Sequence, residues 1–322
     1  MNNRKSCCRR SVEVACGISE TFKNRLLKRV AMLFVSLSVA LPASAWGRLG
    51  HAAINKIAEE HLTGTARENI SRHMHGESIV TYASWPDDFR DRLNAGFRPD
   101  WNKARGYAHT YEVDSLLLPF RGIDDNGRYV TNALYFIDGF ISDLKEAESM
   151  DDSTRFTEIV MLCHFIGDMH CPGHIRYAPK RDIGGWKVTF LGEPSTYHKV
   201  WDGDILTAYY PWSWSDFAMM CDICTKDCIA KITEGDIYDW AHDAAVASLP
   251  VRENVRKGAD LDAEWAIDRL DLTREMIRKA GYRLAHQLNM LFDAKYARKH
   301  KKAQESLCRP EMTDEEPHNS NT

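Results

Sequence analysis

Ile159-Val-Met-Leu-Cys-His164-Phe-Ile-Gly-Asp168-Met-His170-Cys171-Pro172-Gly173-His174 is the stretch that decides how this chain folds. Its apolar members Ile159, Leu162, Phe165 and Ile166 recur at helical spacing. His164 and Asp168 interrupt them four residues apart, so an imidazole and a carboxylate share one helix face, about 5–6 Å apart at Cβ. Polar side chains among apolar neighbours need partners. A metal ion would supply one; so would a His-Asp hydrogen bond closing a polar pair in the core. Pro172 is expected to end or distort the helix, so His174 need not share a face with His164.

Outward from this segment the pattern stays helical. Ile54, Ile57, Ala58 and Leu62 mark a helix from about Gly50, and Leu134, Ile137, Phe140, Ile141 and Leu144 mark another. Trp240, Ala244, Ala247 and Ser248 predict a helix ended by Pro250. Leu261 to about Lys299 reads as a long helical stretch with a break near Gly281. The best strand signal is short, Lys187 to Leu191. No internal repeat and no linker divide residues 46–300. The expected fold is all-α, one mainly helical domain with at most a short β-hairpin. From about Lys301 the chain turns polar and charged, and residues 301–322 are expected to form a disordered tail.

Residues 1–45 read as a signal peptide with an N-terminal extension. Lys23, Arg25, Lys28 and Arg29 precede an apolar run from Val30 to Leu41, which is short for a membrane span. Ala43-Ser44-Ala45 fits a small-x-small cleavage signal and would make Trp46 the first mature residue. The protein is therefore expected to be exported, periplasmic or secreted, with no stable membrane association. The formal net charge of the chain is -4. The leader carries 8 basic and 2 acidic residues, so cleavage leaves 34 basic and 44 acidic side chains. No basic excess exists to bind nucleic acid by phosphate neutralisation alone. A polyanionic substrate would have to be attracted locally, and bound cations are one means.

Of the 9 cysteines, Cys163, Cys171, Cys221, Cys224, Cys228 and Cys308 follow the leader. An exported chain permits disulfides. Within Cys221-x-x-Cys224-x-x-x-Cys228 a local disulfide is favoured over a zinc knot or a redox pair.

Further nitrogen and oxygen donors lie on either side of the opening segment. His198 and Asp202, in Tyr-His-Lys-Val-Trp-Asp, repeat the spacing of His164 and Asp168. Asp87 stands in Ala-Ser-Trp-Pro-Asp-Asp and His109 in Tyr-Ala-His-Thr-Tyr. His51 follows Trp46 by five residues, and a free Trp46 amine with its carbonyl could chelate an ion beside His51. Together Trp46, His51, Asp87, His109, His164, Asp168, His174, His198 and Asp202 form a donor set without thiolate. Such a set suits catalytic zinc with an open position. It is too large for one tetrahedral ion and about right for three that share a bridge.

In Trp46-Gly-Arg-Leu-Gly-His51, Ser84-Trp-Pro-Asp87, His109, His164 through His174, and Tyr197-His198-Lys-Val-Trp-Asp202, the sequence resembles the zinc-dependent single-strand nucleases of the S1/P1 type, which include 3′-nucleotidases. The resemblance implies a mainly α-helical fold around a trinuclear zinc site. Carried over by motif, one zinc takes Asp87, His109, His164 and Asp168. A second takes the Trp46 amine and carbonyl, His51 and Asp168, so that Asp168 bridges. The third takes His174, His198 and Asp202. His170 matches a family position that supports ligands without being one.

The implied reaction is hydrolysis of single-stranded DNA and RNA to 5′-phosphate products, with phosphate release from 3′-nucleotides. A metal-bridged hydroxide would attack phosphorus in line, and the third zinc would stabilise the leaving 3′ oxygen. Asp87, Asp168 and Arg48 are the catalytic candidates, with Arg48 as a possible phosphate contact or a solvated surface residue.

The sequence also departs from the family. Cys171 and Gly173 stand where the family usually has Gln and Leu. Asp182-Ile-Gly184-Gly185-Trp186 replaces the family's Asp-x-Gly-Gly-Asn, whose Asp and Asn lie near the base pocket. Asp182 and Trp186 are the substrate-binding candidates: an indole at Trp186 could stack on a base, worth about 1–3 kcal/mol, or fill the pocket. Trp101, Trp212 and Trp214 read as core more than as stacking residues. The alternatives are a zinc-dependent phospholipase C and an exported zinc-binding protein. Against the first, residues 46–322 contain no basic amphipathic stretch suited to a lipid surface.

Overall fold

The structure, a computed structural model, describes residues 46–88, 109–121, 132–178, 183–209 and 213–307. The leader, Trp101, Asp182, Trp212 and Cys308 lie outside the described residues.

Thirteen helices follow in order: α1 (Gly47–Glu60), α2 (Gly64–His73), α3 (Trp85–Asp88), α4 (Ala133–Leu144), α5 (Asp152–Met169), α6 (Tyr197–Lys199), α7 (Ile205–Tyr209), α8 (Trp214–Cys221), α9 (Lys226–Ile232), α10 (Ile237–Glu253), α11 (Ala263–Ile267), α12 (Leu270–Phe292) and α13 (Ala294–Leu307), counted among the described residues. A π-helical turn, Val200–Asp204, joins α6 to α7. The mainly α-helical class read from the sequence is the fold the chain adopts.

α5 is the central element. Asp151 caps it by accepting the Thr154 N–H, and from Thr157 to Met169 every residue is buried. A helix buried on all sides must lie inside its neighbours. α4 packs on one flank through Phe136 and Phe140 against Phe165. α1 and α12 lie against another part of α5 and most closely against each other.

Gly281 sits at that α1–α12 crossing. A Cβ there would come within 2.6 Å of the Ile57 side chain and 3.2 Å of the Ile54 carbonyl oxygen. The glycine is therefore a close-approach point and not the break its sequence position predicts; α12 runs through it. The helical stretch expected from Leu261 is divided instead at its start and near Asp293. Asp260–Leu261 is a strand, α11 is a separate short helix, and Asp293 takes an extended conformation between α12 and α13. α13 continues to Leu307, past the Lys301 boundary at which the sequence turns polar.

Pro250 does not end α10 as predicted; the helix continues to Glu253. A proline inside a helix removes one backbone donor, to the carbonyl four residues earlier. Here that residue is Val246, which is exposed, so solvent can serve its carbonyl.

The strands exceed a single hairpin. β1 (Tyr111–Val113) pairs in parallel with β2 (Ile175–Tyr177), Tyr111 opposite Ile175. β3 (Lys187–Phe190) forms an antiparallel hairpin with β4 (Glu193–Thr196) and pairs in parallel with β5 (Asp260–Leu261). The predicted strand at Lys187 is the middle strand of this sheet. Tyr111 and Tyr177 donate their hydroxyl protons to the Ala241 and Ala245 carbonyls, fixing the β1–β2 pair on α10.

Among the described residues no helix is long and apolar enough to cross a membrane. Cys163, Cys171, Cys221, Cys224 and Cys228 are free thiols. The local disulfide favoured for the last three is therefore not formed. Cys221 is buried at the end of α8, whereas Cys224 and Cys228 flank the Thr225 cap of α9 as a hydrogen-bonded pair of thiols.

Candidate metal centre

Local structure brings the donors together in steps. Trp46 has a left-handed backbone (φ 48°) just before α1, and its buried indole N–H donates to the Gly167 carbonyl at 3.0 Å. One turn into α1, His51 points at α5 and is fully buried. Gly167 makes this possible: a Cβ there would lie 2.9 Å from His51 Nδ1. α3 offers the buried Asp87 to the same end of α5.

The β1–β2 pairing brings together His109, two residues before β1, and His174, immediately before β2; their rings stand 4.6 Å apart. The β3–β4 hairpin performs a similar task for His198. The Tyr197 and His198 backbone N–H groups donate to the Trp186 and Gly184 carbonyls, both at 3.0 Å. Thr196 caps α6, and the π turn carries Asp202 back toward His198.

Asp168 is the hub of this arrangement. Its Oδ1 lies 3.2 Å from His51 Nε2 and 4.0 Å from His174 Nδ1, and its Oδ2 lies 3.5 Å from His164 Nε2. His164 Nε2 also faces Asp87 at 3.4 Å. Farther along, Asp202 faces His174 and His198 at 3.0 Å each, one carboxylate oxygen to each ring. His51 and His164 stack at 3.9 Å, and His174 and His198 at 4.7 Å.

Three groups of donor atoms lie close enough to hold an ion: His51, Asp87 and His164; His109, His174 and His198; and Cys171, His174 and Asp202. The resemblance groups His109 with Asp87, His164 and Asp168. In the structure its ring stands with His174 and His198.

Hydrogen bonding tests whether metal ions fit here. Buried polar atoms are almost always hydrogen-bonded. Both oxygens of Asp168, both ring nitrogens of His51, and His174 Nδ1 are buried without a hydrogen-bond partner. The Nδ1–H of His164 donates to the Ala83 carbonyl at 2.9 Å, which turns Nε2 toward the two carboxylates. A carbonyl that fixes the tautomer of a ligating histidine is the usual support for a metal site. The residues fit metal ions.

His170 is held away from this role. Its Nδ1–H donates to the Ile166 carbonyl at 2.8 Å, and its Nε2 accepts from Arg283 at 2.9 Å. Both ring nitrogens are used, so neither is free to bind an ion. Arg283 is in turn tied to Asp243, which also binds Lys279.

Electrostatics agree with the geometry. Burial, then the neighbouring His164, drives the His51 pKa well below its usual value. Burial also lowers His174, against the pull of Asp202. Both imidazoles are thus neutral and able to donate lone pairs. Burial pulls His164 down too, but Asp168 and Asp87 outweigh it and hold the imidazole at about 9. Burial raises the Asp168 carboxyl well above its usual value. The His164–Asp168 pair therefore retains a proton that a bound cation would displace. Burial raises Asp202, but hydrogen bonds from His174 and His198 outweigh it and hold the carboxyl at about 2.

Of the remaining sequence candidates, Arg48 is exposed in the first turn of α1. Trp186 is half-buried and packed against the core. Trp214 is exposed, contrary to the expected core role. Sequence reasoning missed the contributions of Gly167, Ala83 and Gly184. The first was legible as a glycine one residue before a candidate ligand; the other two act through backbone carbonyls and left no sequence signal.

The S1/P1 Nuclease family model matches residues 46–293. Endonuclease 2 of Arabidopsis thaliana is 25% identical over 283 residues, covering 77% of this chain and 90% of that protein. Nuclease S1 of Aspergillus oryzae is 25% identical over 287 residues, covering 80% of this chain and 95% of that protein. Nuclease P1 of Penicillium citrinum is 24% identical over 286 residues, covering 79% of this chain and all of that protein. With a family match that begins at Trp46 and takes in every donor of the centre, the chain belongs to the S1/P1 nuclease family, enzymes that hydrolyse ester bonds of nucleic acids.

Proposed function

We propose that this protein is an exported, zinc-dependent phosphodiesterase that hydrolyses single-stranded DNA and RNA to 5′-phosphate products and also acts as a 3′-nucleotidase. One observation carries the reading: Asp168, fully buried, has two oxygens without hydrogen-bond partners and lies among His51, His164 and His174. An anionic carboxylate surrounded by inward-facing imidazoles suits a bridge between cations and is costly without them.

Three zinc ions are assigned. Asp87, His109, His164 and Asp168 would hold one, the His109 ring turning toward it from beside His174 and His198. The Trp46 amine and carbonyl, His51 and Asp168 would hold a second once the leader is cleaved before Trp46. His174, His198 and Asp202 would hold the third. When bound, such ions supply Lewis-acid charge and lower the pKa of a coordinated water.

The protein groups do the rest. Asp87 and Asp168 would supply the carboxylates that hold the paired positions. Arg48, exposed on the helix that carries His51, is assigned to a substrate phosphate. The Gly184 and Trp186 carbonyls anchor His198 and Tyr197, and base recognition is assigned to this segment, with the Trp186 indole as the stacking group.

The decisive experiment uses protein beginning at Trp46 with single-stranded DNA. Hydrolysis should vanish on chelation and return with zinc. No hydrolysis by protein shown to hold zinc would refute the nuclease reading and direct attention to other phosphoesters, phospholipids first. Arg48→Ala should slow phosphodiester cleavage by about tenfold, the loss of one charge-assisted hydrogen bond; an unchanged rate would remove Arg48 from the reaction.

A further inference from the structure

We propose that Cys171 supplies a thiolate to the metal centre, at the position shared with His174 and Asp202. The inference rests on the metal-centre reading and adds a sulfur ligand to its otherwise nitrogen and oxygen donor set.

Three observations carry it. The first is distance. The Cys171 sulfur, a His174 ring nitrogen and an Asp202 carboxylate oxygen all lie within 4.8 Å of one another. Donors around a tetrahedral zinc, at bond lengths of about 2.0–2.3 Å, stand roughly 3.3–3.8 Å apart. A small inward movement of the three side chains closes the site.

The second is the company the sulfur keeps. Cys171 and His174 are both fully buried, and His174 Nδ1 has no hydrogen-bond partner. The backbone N–H groups of Gly173 and Trp46 also reach the sulfur. Burial and the Asp202 carboxylate outweigh these contacts and push the thiol well above its usual range, so the sulfur would become a thiolate only against a bound cation. Cys163 offers the contrast. It is equally buried on the preceding turns of α5, in the apolar core, and belongs to none of the three donor groups. A buried free cysteine is ordinarily a small apolar residue, and Cys163 fits that description where Cys171 does not.

The third is how the backbone is held. Cys171 precedes the short turn Pro172–His174, and the His174 N–H donates to the Cys171 carbonyl at 2.9 Å. Gly173 lets this turn press against the next ligand segment. A Cβ there would stand 3.0 Å from Trp201 Cβ and 3.3 Å from the His198 carbonyl oxygen. The turn that carries Cys171 is thereby fixed against the segment that carries His198 and Asp202.

On ligation the thiol S–H bond breaks, its proton passes to solvent, and the sulfur lone pair binds the cation. Sulfur at this position would shift the preference of the centre toward softer metals such as cadmium.

Cobalt(II) substitution tests the assignment without relying on turnover. The Cys224→Ser/Cys228→Ser background removes the half-buried thiol pair as a competing site. Cobalt-loaded protein in that background should show a near-ultraviolet sulfur-to-cobalt charge-transfer band. Cys163→Ser should keep the band; Cys171→Ser and Cys171→Ala should lose it while still binding cobalt. If both Cys171 variants fail to fold, cadmium NMR of the Cys224→Ser/Cys228→Ser protein decides: a strongly deshielded, sulfur-ligated resonance supports the ligand, and only nitrogen- and oxygen-ligated resonances overturn it. A band that persists without Cys171, or cobalt-loaded protein with no band, also overturns it. A chain that binds no cobalt or zinc at all overturns the metal-centre reading itself, which metal analysis tells apart from the failure of Cys171 alone.

Discussion

His170 should make the fold sensitive to mild acid, and the size of the effect follows from its surroundings. Its imidazole is fully buried between the Ile166 carbonyl and the Arg283 guanidinium. Burial first, and then the charge of Arg283, lower its pKa from 6.5 to about 3. The unfolded chain therefore takes up a proton well before the folded one. Full stability is present above 6.5 and is lost as pH falls toward 3. At about pH 4.5, two units below the unfolded value, the loss is about 3 kcal/mol, at 1.36 kcal/mol per unit. Replacing the imidazole with the non-titrating amide of His170→Gln, which keeps one donor and one acceptor, should remove this component. The assay is guanidinium unfolding of both proteins at about pH 7 and about pH 4.5, with chelator present throughout. His51, His164 and His174 titrate in both proteins, so their contributions cancel in the difference. The substituted protein should be less stable at neutral pH yet lose about 3 kcal/mol less on acidification. Equal losses in the two proteins would refute the neutral, doubly bonded imidazole.

Asp168→Asn keeps the shape of the hub and removes its charge; metal analysis should find at least one ion fewer per chain, with hydrolysis reduced by at least roughly 100-fold, and full metal content would contradict the bridging role. Gly167→Ala places a methyl 2.9 Å from a rigid imidazole; thermal unfolding should show a loss of about 1–3 kcal/mol together with weaker metal binding, and an unchanged protein would mean that His51 does not need this approach. Protein that begins at Trp46 should hold one more ion than protein that retains Ala45, because an amide nitrogen cannot chelate as an amine does; identical metal content would exclude the terminal amine as a ligand.

The sequence carried the site better than it carried the helix boundaries. His164 with Asp168, and His198 with Asp202, were legible because four-residue spacing has one geometric meaning on a helix, and the structure brings both pairs to one place. His109 was legible as a donor, but its place beside His174 was not, because that depends on the parallel pairing of β1 with β2, between residues far apart in the chain. Gly281 and Pro250 misled for a common reason. Each was read by its local propensity, whereas packing against Ile57 and an exposed carbonyl at Val246 decided the outcome. Propensity yields to tertiary contact in this way when the local cost is only about 1–3 kcal/mol.

The crossing of α1 and α12 at Gly281 also constrains the order of assembly. α1 brings in His51 near the start of the family match, yet it packs most closely on a helix that ends at Phe292. A nascent chain that has emerged only as far as Asp202 would carry every proposed ligand and still lack the wall that holds His51. The centre would therefore take shape late, when synthesis is nearly complete, and a truncated product lacking α12 would possess the donors but not the enzyme.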